Sequence, residues 1–75
     1  MIKGLMLIKI SSEATPAFVE EAKKISGVVD AYPVFGRFDV VVFLEGETFL
    51  KMKGVAAKVA KLKEIRSTET LTEGD

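Results

Sequence analysis

The sequence predicts one α+β domain of ferredoxin-like fold, in which a four-stranded antiparallel sheet carries two helices on one face. Four segments are rich in β-branched and aromatic residues, and two others repeat apolar residues at helical spacing. Their order is strand, helix, strand, strand, helix, strand, which is the βαββαβ pattern of this fold. The chain has 75 residues, the length of one domain, so we predict that residues 1–75 form a single unit.

The first predicted strand covers residues 2–10 and is mostly apolar on both faces. One face carries Leu5, Leu7 and Lys9, and the other carries Met6, Ile8 and Ile10. The first predicted helix has Thr15 as its N-cap and Pro16 at its first position, where the missing N–H costs no hydrogen bond. We expect this helix to run to about Ser26. Its predicted buried stripe consists of Phe18, Ala22 and Ile25.

The second and third predicted strands form a hairpin around Gly36-Arg37. Glycine at the first central position of a two-residue turn is typical of type II′, which predicts arms of residues 28–35 and 38–45. Pro33 lacks an N–H and indicates an edge strand or a bulge. Residues 40–44 are all apolar, so we expect both faces of the second arm to be buried.

The second predicted helix begins with Thr48 as its N-cap and runs to about Lys63. Gly54 in its interior costs about 1 kcal/mol relative to alanine, which indicates a close approach or a kink. The last predicted strand covers residues 65–71 and is followed by a tail from Thr72 to Asp75. The predicted buried stripe of the helix consists of Phe49, Met52, Val55 or Ala56, Val59 and Leu62.

Two helices can cover only one face of the predicted sheet, although both faces are apolar. Nothing else in a chain of 75 residues is long enough to cover the other face. A domain of this size buries only about 60% of the surface of its unfolded chain, so association is a common source of added stability. We therefore predict a homodimer that forms through the other sheet face.

The composition excludes several classes of function. The chain has no Cys and no His, which excludes disulfides, the usual zinc site and the Ser-His and Cys-His arrangements of nucleophilic catalysis. We predict no cofactor and no metal, because phosphate-binding and dinucleotide-binding motifs are absent. Lys plus Arg and Asp plus Glu each number 11, so no net charge favours nucleic acid or a membrane. The apolar runs are too short to span a bilayer, and we expect a cytoplasmic protein.

Three short motifs occur in order along the chain: Val29-Asp30-Ala31-Tyr32, then Gly36-Arg37-Phe38-Asp39 followed by Val40-Val41-Val42, then Ile65-Arg66-Ser67-Thr68-Glu69-Thr70. In this order and spacing they resemble the effector-binding (RAM) domain of the Lrp/AsnC transcription regulators, over nearly the whole chain. The resemblance implies a non-enzymatic module that binds an amino acid effector and forms homodimers and larger rings, such as octamers. Because the chain begins at the first strand, it is similar to stand-alone versions without a helix-turn-helix domain. These are expected to co-assemble with full-length regulators and not to contact nucleic acid.

The resemblance also implies that the effector binds between dimers, near the hairpin turn of one subunit and the terminal strand of a neighbour. An α-amino acid requires a carboxylate for its ammonium group, N–H groups or a cation for its carboxylate, and apolar walls for its side chain. The family more often has Tyr where this chain has Phe38. The residues carried over to this chain as ligand-binding are Phe35, Gly36, Arg37, Phe38, Asp39, Thr68 and Thr70.

Two other functions are compatible with the sequence. One is a small enzyme of the dimeric α+β barrel type, for which a deep pocket holding Tyr32 and a carboxylate is expected. The other is a structural ring former that responds to no ligand. Ordinary turn and strand roles also account for Asp39, Thr68 and Thr70.

Overall fold

The computed structural model describes residues 1–72 of the chain. The four strands form one antiparallel sheet in the order β2-β3-β1-β4, with two helices, and this confirms the predicted ferredoxin-like fold. The predicted tail starts one residue too early, because Thr72 still belongs to the last strand, and residues 73–75 lie outside the described residues. The elements are β1 (Ile2–Ile10), α1 (Thr15–Lys23), β2 (Val28–Pro33), β3 (Val40–Gly46), α2 (Phe49–Ala60) and β4 (Ile65–Thr72).

The sheet is built around β1, which pairs with β3 on one side and β4 on the other. The bounds of β1 are those predicted from its run of mostly apolar residues. Strand β2 lies at one edge of the sheet and ends at Pro33, which confirms the edge position that its missing N–H indicates. Strand β4 forms the other edge, and its side chains are exposed apart from Ile65.

The core lies between the sheet and the two helices. Of the predicted α1 stripe, Phe18 and Ala22 are buried, and Ile25 packs against the core from just beyond the end of the helix. In α2, Met52 and Val59 are fully buried, but Phe49 is 50% exposed, so its assignment to the stripe is wrong. Within residues 1–72 the fully buried core consists of Met6, Ile8, Ile10, Phe18, Ala22, Ala31, Val40, Val42, Leu44, Met52 and Val59.

The ends of the helices depend on short polar contacts. Thr48 caps α2 as predicted, and its hydroxyl oxygen accepts a hydrogen bond of 3.2 Å from the N–H of Lys51. At α1 the prediction is wrong by one residue: Ala14 is the N-cap, and Thr15 is already helical. The Thr15 hydroxyl donates to the carbonyl of Ser11 at 2.9 Å instead, which ties the helix to the end of β1. Both helices also end earlier than predicted. Neither helix is long and apolar enough to cross a membrane within the described residues.

Gly54 lies on the open side of α2, and a Cβ added there meets no atom within 4 Å. The predicted close approach at this residue is therefore wrong. We expect Gly54→Ala to raise the free energy of unfolding by about 1 kcal/mol, because alanine restricts the unfolded chain and favours the helix. Urea unfolding followed by circular dichroism measures this change.

Gly46→Ala is the matched control for this prediction. A Cβ at Gly46 would lie 2.5 Å from the backbone nitrogen of Met52, so the same substitution there should lower the stability. Equal effects of the two substitutions would contradict the assignment of Gly54 to an open helix surface.

Candidate functional site

One face of the sheet is covered by the helices, and the opposite face, here called the open face, is apolar and uncovered within residues 1–72. On it Leu5 is the cross-strand partner of both Phe43 and Leu71, and Leu7 is the partner of Val41. Phe43 is 37% exposed and Leu71 is 50% exposed in the single chain. The sequence predicts that both faces of β3 are buried. Within the single chain only the helix-covered face is buried, and burial of the open face stays a prediction.

Tyr32 also lies on the open face, as the cross-strand partner of Val41. Its ring packs against that of Phe43 with a centroid distance of 5.8 Å. The nearby Asp30 carboxylate accepts a hydrogen bond from the backbone N–H of Ala31. Tyr32 is thus part of an apolar surface and does not point between the sheet and the helices, where a barrel enzyme would need it.

The connection between β2 and β3, here called the hairpin loop (residues 34–39), is longer than predicted. The strand register corresponds to a turn centred on Gly36-Arg37, because Pro33 pairs with Val40. The Val34 N–H donates to the Asp39 carbonyl at 2.9 Å, and strand pairing stops there. The predicted two-residue turn is therefore wrong, because the chain leaves the ladder two residues earlier on each side.

Asp39 joins the hairpin loop to the end of β1. Its backbone N–H donates to the carbonyl of Ile8 at 2.8 Å, and its carboxylate oxygen Oδ2 accepts from the N–H of Ile10 at 3.0 Å. The side chain is half-buried. The other carboxylate oxygen has no hydrogen-bond partner within the described residues, so it remains able to accept from a ligand.

The tip of the hairpin loop presents groups without partners in the same chain. Phe35 is fully exposed, and Phe38 is half-buried. Gly36 has a φ of 121°, which glycine adopts far more readily than other residues. The Arg37 carbonyl accepts a hydrogen bond of 2.9 Å from Lys9 Nζ, which holds the tip toward β1. Among residues 1–72, the backbone N–H groups of residues 35–38 donate to no protein acceptor.

Thr68 and Thr70 lie on β4, on the helix side of the sheet, where they are the cross-strand partners of Ile8 and Met6. Both side chains are exposed. Asp39 approaches Ile8 from the other side of β1. Within one chain the structure therefore assembles the predicted hairpin residues into one loop, and places the two threonines across β1 from it.

A groove of about 720 Å³, here called the end groove, separates the beginning of α1 from the turn between α2 and β4. Its apolar lining residues are Ala14, Ala17, Phe18 and Leu62. Its charged lining residues are Glu13 and Glu21 on the α1 side, and Lys61, Lys63 and Glu64 on the α2 side. No residue of this groove is among the predicted ligand-binding residues.

The missed groove had one signal in the sequence. In the βαββαβ order, the β1–α1 connection and the α2–β4 connection fall at the same end of the sheet as the hairpin loop. The apolar residues Ala17 and Leu62 lie near those connections, but apolar residues at helical spacing predict ordinary packing and do not by themselves indicate a groove. No cluster of three or more Asp or Glu residues that could hold a metal occurs within residues 1–72.

Neither a protein-family model nor a curated protein sequence matches the chain. Solved structures, in contrast, match the chain. A Thermus thermophilus protein matches with a TM-score of 0.91 and 24% identity, over 100% of this chain and 95% of that chain. Escherichia coli AsnC matches with a TM-score of 0.85 and 22% identity, over 96% of this chain and 50% of that chain.

A transcriptional regulator from Neisseria meningitidis, solved in complex with L-Met, matches with a TM-score of 0.80 and 10% identity, over 99% of this chain and 50% of that chain. This chain thus spans about half the length of the two regulators. It has the fold of a domain of the AsnC-type regulators, as the sequence resemblance implies, and also the fold of a solved chain of similar length.

Proposed function

We propose that the chain is an amino-acid-binding and assembly module of the Lrp/AsnC type, without enzymatic activity and without a DNA-reading role of its own. The shared fold supports the type of module, and the L-Met complex of the Neisseria meningitidis regulator supports an amino acid as the class of effector. In this proposal the module acts on full-length regulators of the same type by mixed assembly.

The open face supports the assembly part of the proposal. Its apolar centre includes Leu5, Phe43 and Leu71, and its ends carry charged residues such as Lys3, the cross-strand partner of Glu45. An apolar patch with a polar rim is typical of a protein interface. A second copy presents the same patch, so a two-fold dimer covers both. Such dimers would then join into a ring, for which an octamer is the proposed size.

The geometry of Asp39 is the observation that supports the effector site most directly. One carboxylate oxygen is held by Ile10, which orients the side chain, and the other is free for an ammonium group. The unpaired N–H groups of residues 35–38 and the Arg37 guanidinium are suited to a carboxylate. Phe35 and Phe38 supply apolar surface. Thr68 and Thr70 of a neighbouring subunit complete the proposed site.

Calorimetric titration with the twenty amino acids tests this site. We expect at least one amino acid to bind the wild-type protein. Asp39→Asn should weaken this binding by about 1.5–3 kcal/mol, roughly ten- to a hundred-fold in Kd, because a charge-assisted hydrogen bond is lost. Asparagine keeps an oxygen that can accept from Ile10, so the fold should be preserved. Thermal unfolding of the same variant checks this.

Undiminished binding by the asparagine variant would remove Asp39 from the site. Binding of no amino acid at all by the wild-type protein would leave the assembly role alone. Glu20→Gln is the matched control, because Glu20 is an exposed carboxylate on α1, outside both the proposed site and the open face, and its substitution should leave the affinity unchanged.

A further inference from the structure

The exposed side of α2 concentrates positive charge, although the chain as a whole has no net charge. Residues 48–63 include no acidic residue, so α2 forms no ion pairs between its own turns. Helix α1 differs, because Glu21 and Lys24 at its end lie 3.6 Å apart. In segment 49–66 only Glu64 opposes the basic residues, which are Lys51, Lys53, Lys58, Lys61, Lys63 and Arg66.

Most of these positive charges have no partner of opposite charge. Within residues 1–72 the only basic side chain of α2 in an ion pair is Lys51, which lies 2.9 Å from Glu47. Lys58 and Lys61 are exposed, take part in no ion pair of that part of the chain, and lie three positions apart on the same side of the helix. Like charges at this spacing repel each other, so an acidic partner would relieve the repulsion.

Apolar surface lies beside this charge. Leu50, in the first turn of α2, is 77% exposed, and the neighbouring Phe49 is half-exposed. Helical spacing places four exposed residues on one line along the outer side of the helix: Leu50, Gly54, Ala57 and Lys61. At the rise of an α-helix, the two ends of this line are about 16 Å apart. The surface of Leu50, Lys53, Lys58 and Lys61, here called the basic helix face, thus has an apolar end and a cationic end.

We propose that the basic helix face binds an acidic amphipathic segment of a partner protein. Carboxylates of that segment lie against Lys58 and Lys61, and an apolar side chain covers Leu50. A protein fits this surface better than nucleic acid does, because a phosphate backbone offers no apolar group to Leu50. The neutral chain also provides no long-range attraction to nucleic acid.

The basic helix face is separate from the surfaces of the proposed function. Helix α2 packs on one side of the sheet, and the open face is the other side. A partner on α2 therefore leaves both the open face and the hairpin loop accessible. The inference does not rest on amino acid binding or on assembly.

Fluorescence anisotropy with a labelled synthetic peptide tests this proposal. The peptide has about 15 residues, with leucine along one helical face and glutamate along the other, a length at which an isolated helix begins to form. We expect it to bind about tenfold more tightly than a peptide of the same composition in scrambled order, because only the helix aligns carboxylates beside an apolar face. Equal affinities for the two peptides would overturn the proposal. Tighter binding of a DNA duplex of the same charge, or of anionic lipid vesicles, would overturn it as well.

Charge-reversed variants locate the contact. Lys58→Glu combined with Lys61→Glu should weaken binding of the helical peptide by at least about tenfold, because attraction becomes repulsion. Lys23→Glu combined with Lys24→Glu is the matched control, since it makes the same change of net charge at the exposed end of α1. Solvent screens charges at that distance, so the control should keep the affinity within about twofold. Equal weakening by the two double variants would reject the basic helix face as the binding surface.

Leu50→Ala tests the apolar end of the surface. It should weaken binding of the helical peptide about fivefold, because the apolar contact is lost. An unchanged affinity would contradict an amphipathic partner. Circular dichroism checks the fold of every variant. Amino acid binding and the proposed dimer depend on other surfaces and should be unchanged in all of them, so failure of the peptide to bind would reject this inference and leave the proposed function standing.

Discussion

Phe43→Asp is expected to dissociate the proposed dimer, which forms through the open face, into monomers. Phe43 is at the centre of the open face, beside Leu5 and near the ring of Tyr32. An unpaired carboxylate buried between two such faces should cost about 3 kcal/mol or more, which is at least roughly a hundred-fold in the dimer dissociation constant. Because the side chain is 37% exposed in the single chain, the monomer should still fold. Analytical ultracentrifugation over a concentration series measures the change.

Phe49→Asp is the matched control, since it places the same charge on another exposed aromatic residue. Phe49 lies at the start of α2, on the helix side, where its ring packs below Lys53 Nζ at 5.6 Å. This variant should remain dimeric. Equal dissociation by both variants, or by neither, would contradict the assignment of the open face as the dimer interface.

Met52→Ala is expected to have the largest effect on the stability of the fold. Met52 is fully buried and lies so close to Gly4 that a Cβ on that glycine would be 2.7 Å from the Met52 sulfur. Its truncation leaves a cavity between α2 and the sheet, which typically costs about 2–5 kcal/mol. Small domains have total stabilities of only about 5–15 kcal/mol at most, so this loss should leave a measurable unfolded fraction at moderate temperature.

Chemical unfolding at several protein concentrations measures this loss. Leu50→Ala, on the same helix, is the control: Leu50 is 77% exposed, and its truncation should change the free energy of unfolding by less than about 0.5 kcal/mol. If Met52→Ala lowers the free energy of unfolding by no more than Leu50→Ala does, α2 does not pack on the sheet as described. The proposed dimerisation would stabilise the folded state by mass action, so both variants are best compared at equal concentration.

The predictions for Phe43→Asp and Met52→Ala concern opposite faces of the same sheet. Met6 and Val42 face the helices and belong to the core, whereas their neighbours Leu5 and Phe43 face outward. Because side chains alternate along a strand, one continuous apolar run supplies both the core and the proposed interface. The same run explains how a chain of 75 residues can hold its fold and still offer a large apolar surface to a partner.

The sequence alone determined the order of the elements and the bounds of β1 through the periodicity of its apolar residues. Local chemistry determined the edge position of Pro33 and the Thr48 cap. The apolar character of the open face likewise follows from the sequence alone. These features depend on interactions between residues close in the chain, or on the fixed alternation of a strand. The assignment of Phe49 to the core was wrong because helical spacing places it at the margin of the stripe, where only the position of the sheet decides burial.

Only the tertiary structure decided the form of the hairpin loop and the existence of the end groove. The two-residue turn predicted at Gly36-Arg37 gives way to a longer loop, in which Asp39 bonds both Ile8 and Ile10, about thirty positions earlier in the chain. The end groove likewise joins the residues around Ala14 to those around Leu62. Contacts between such distant segments depend on how the sheet and helices pack, and no local pattern in the sequence encodes them.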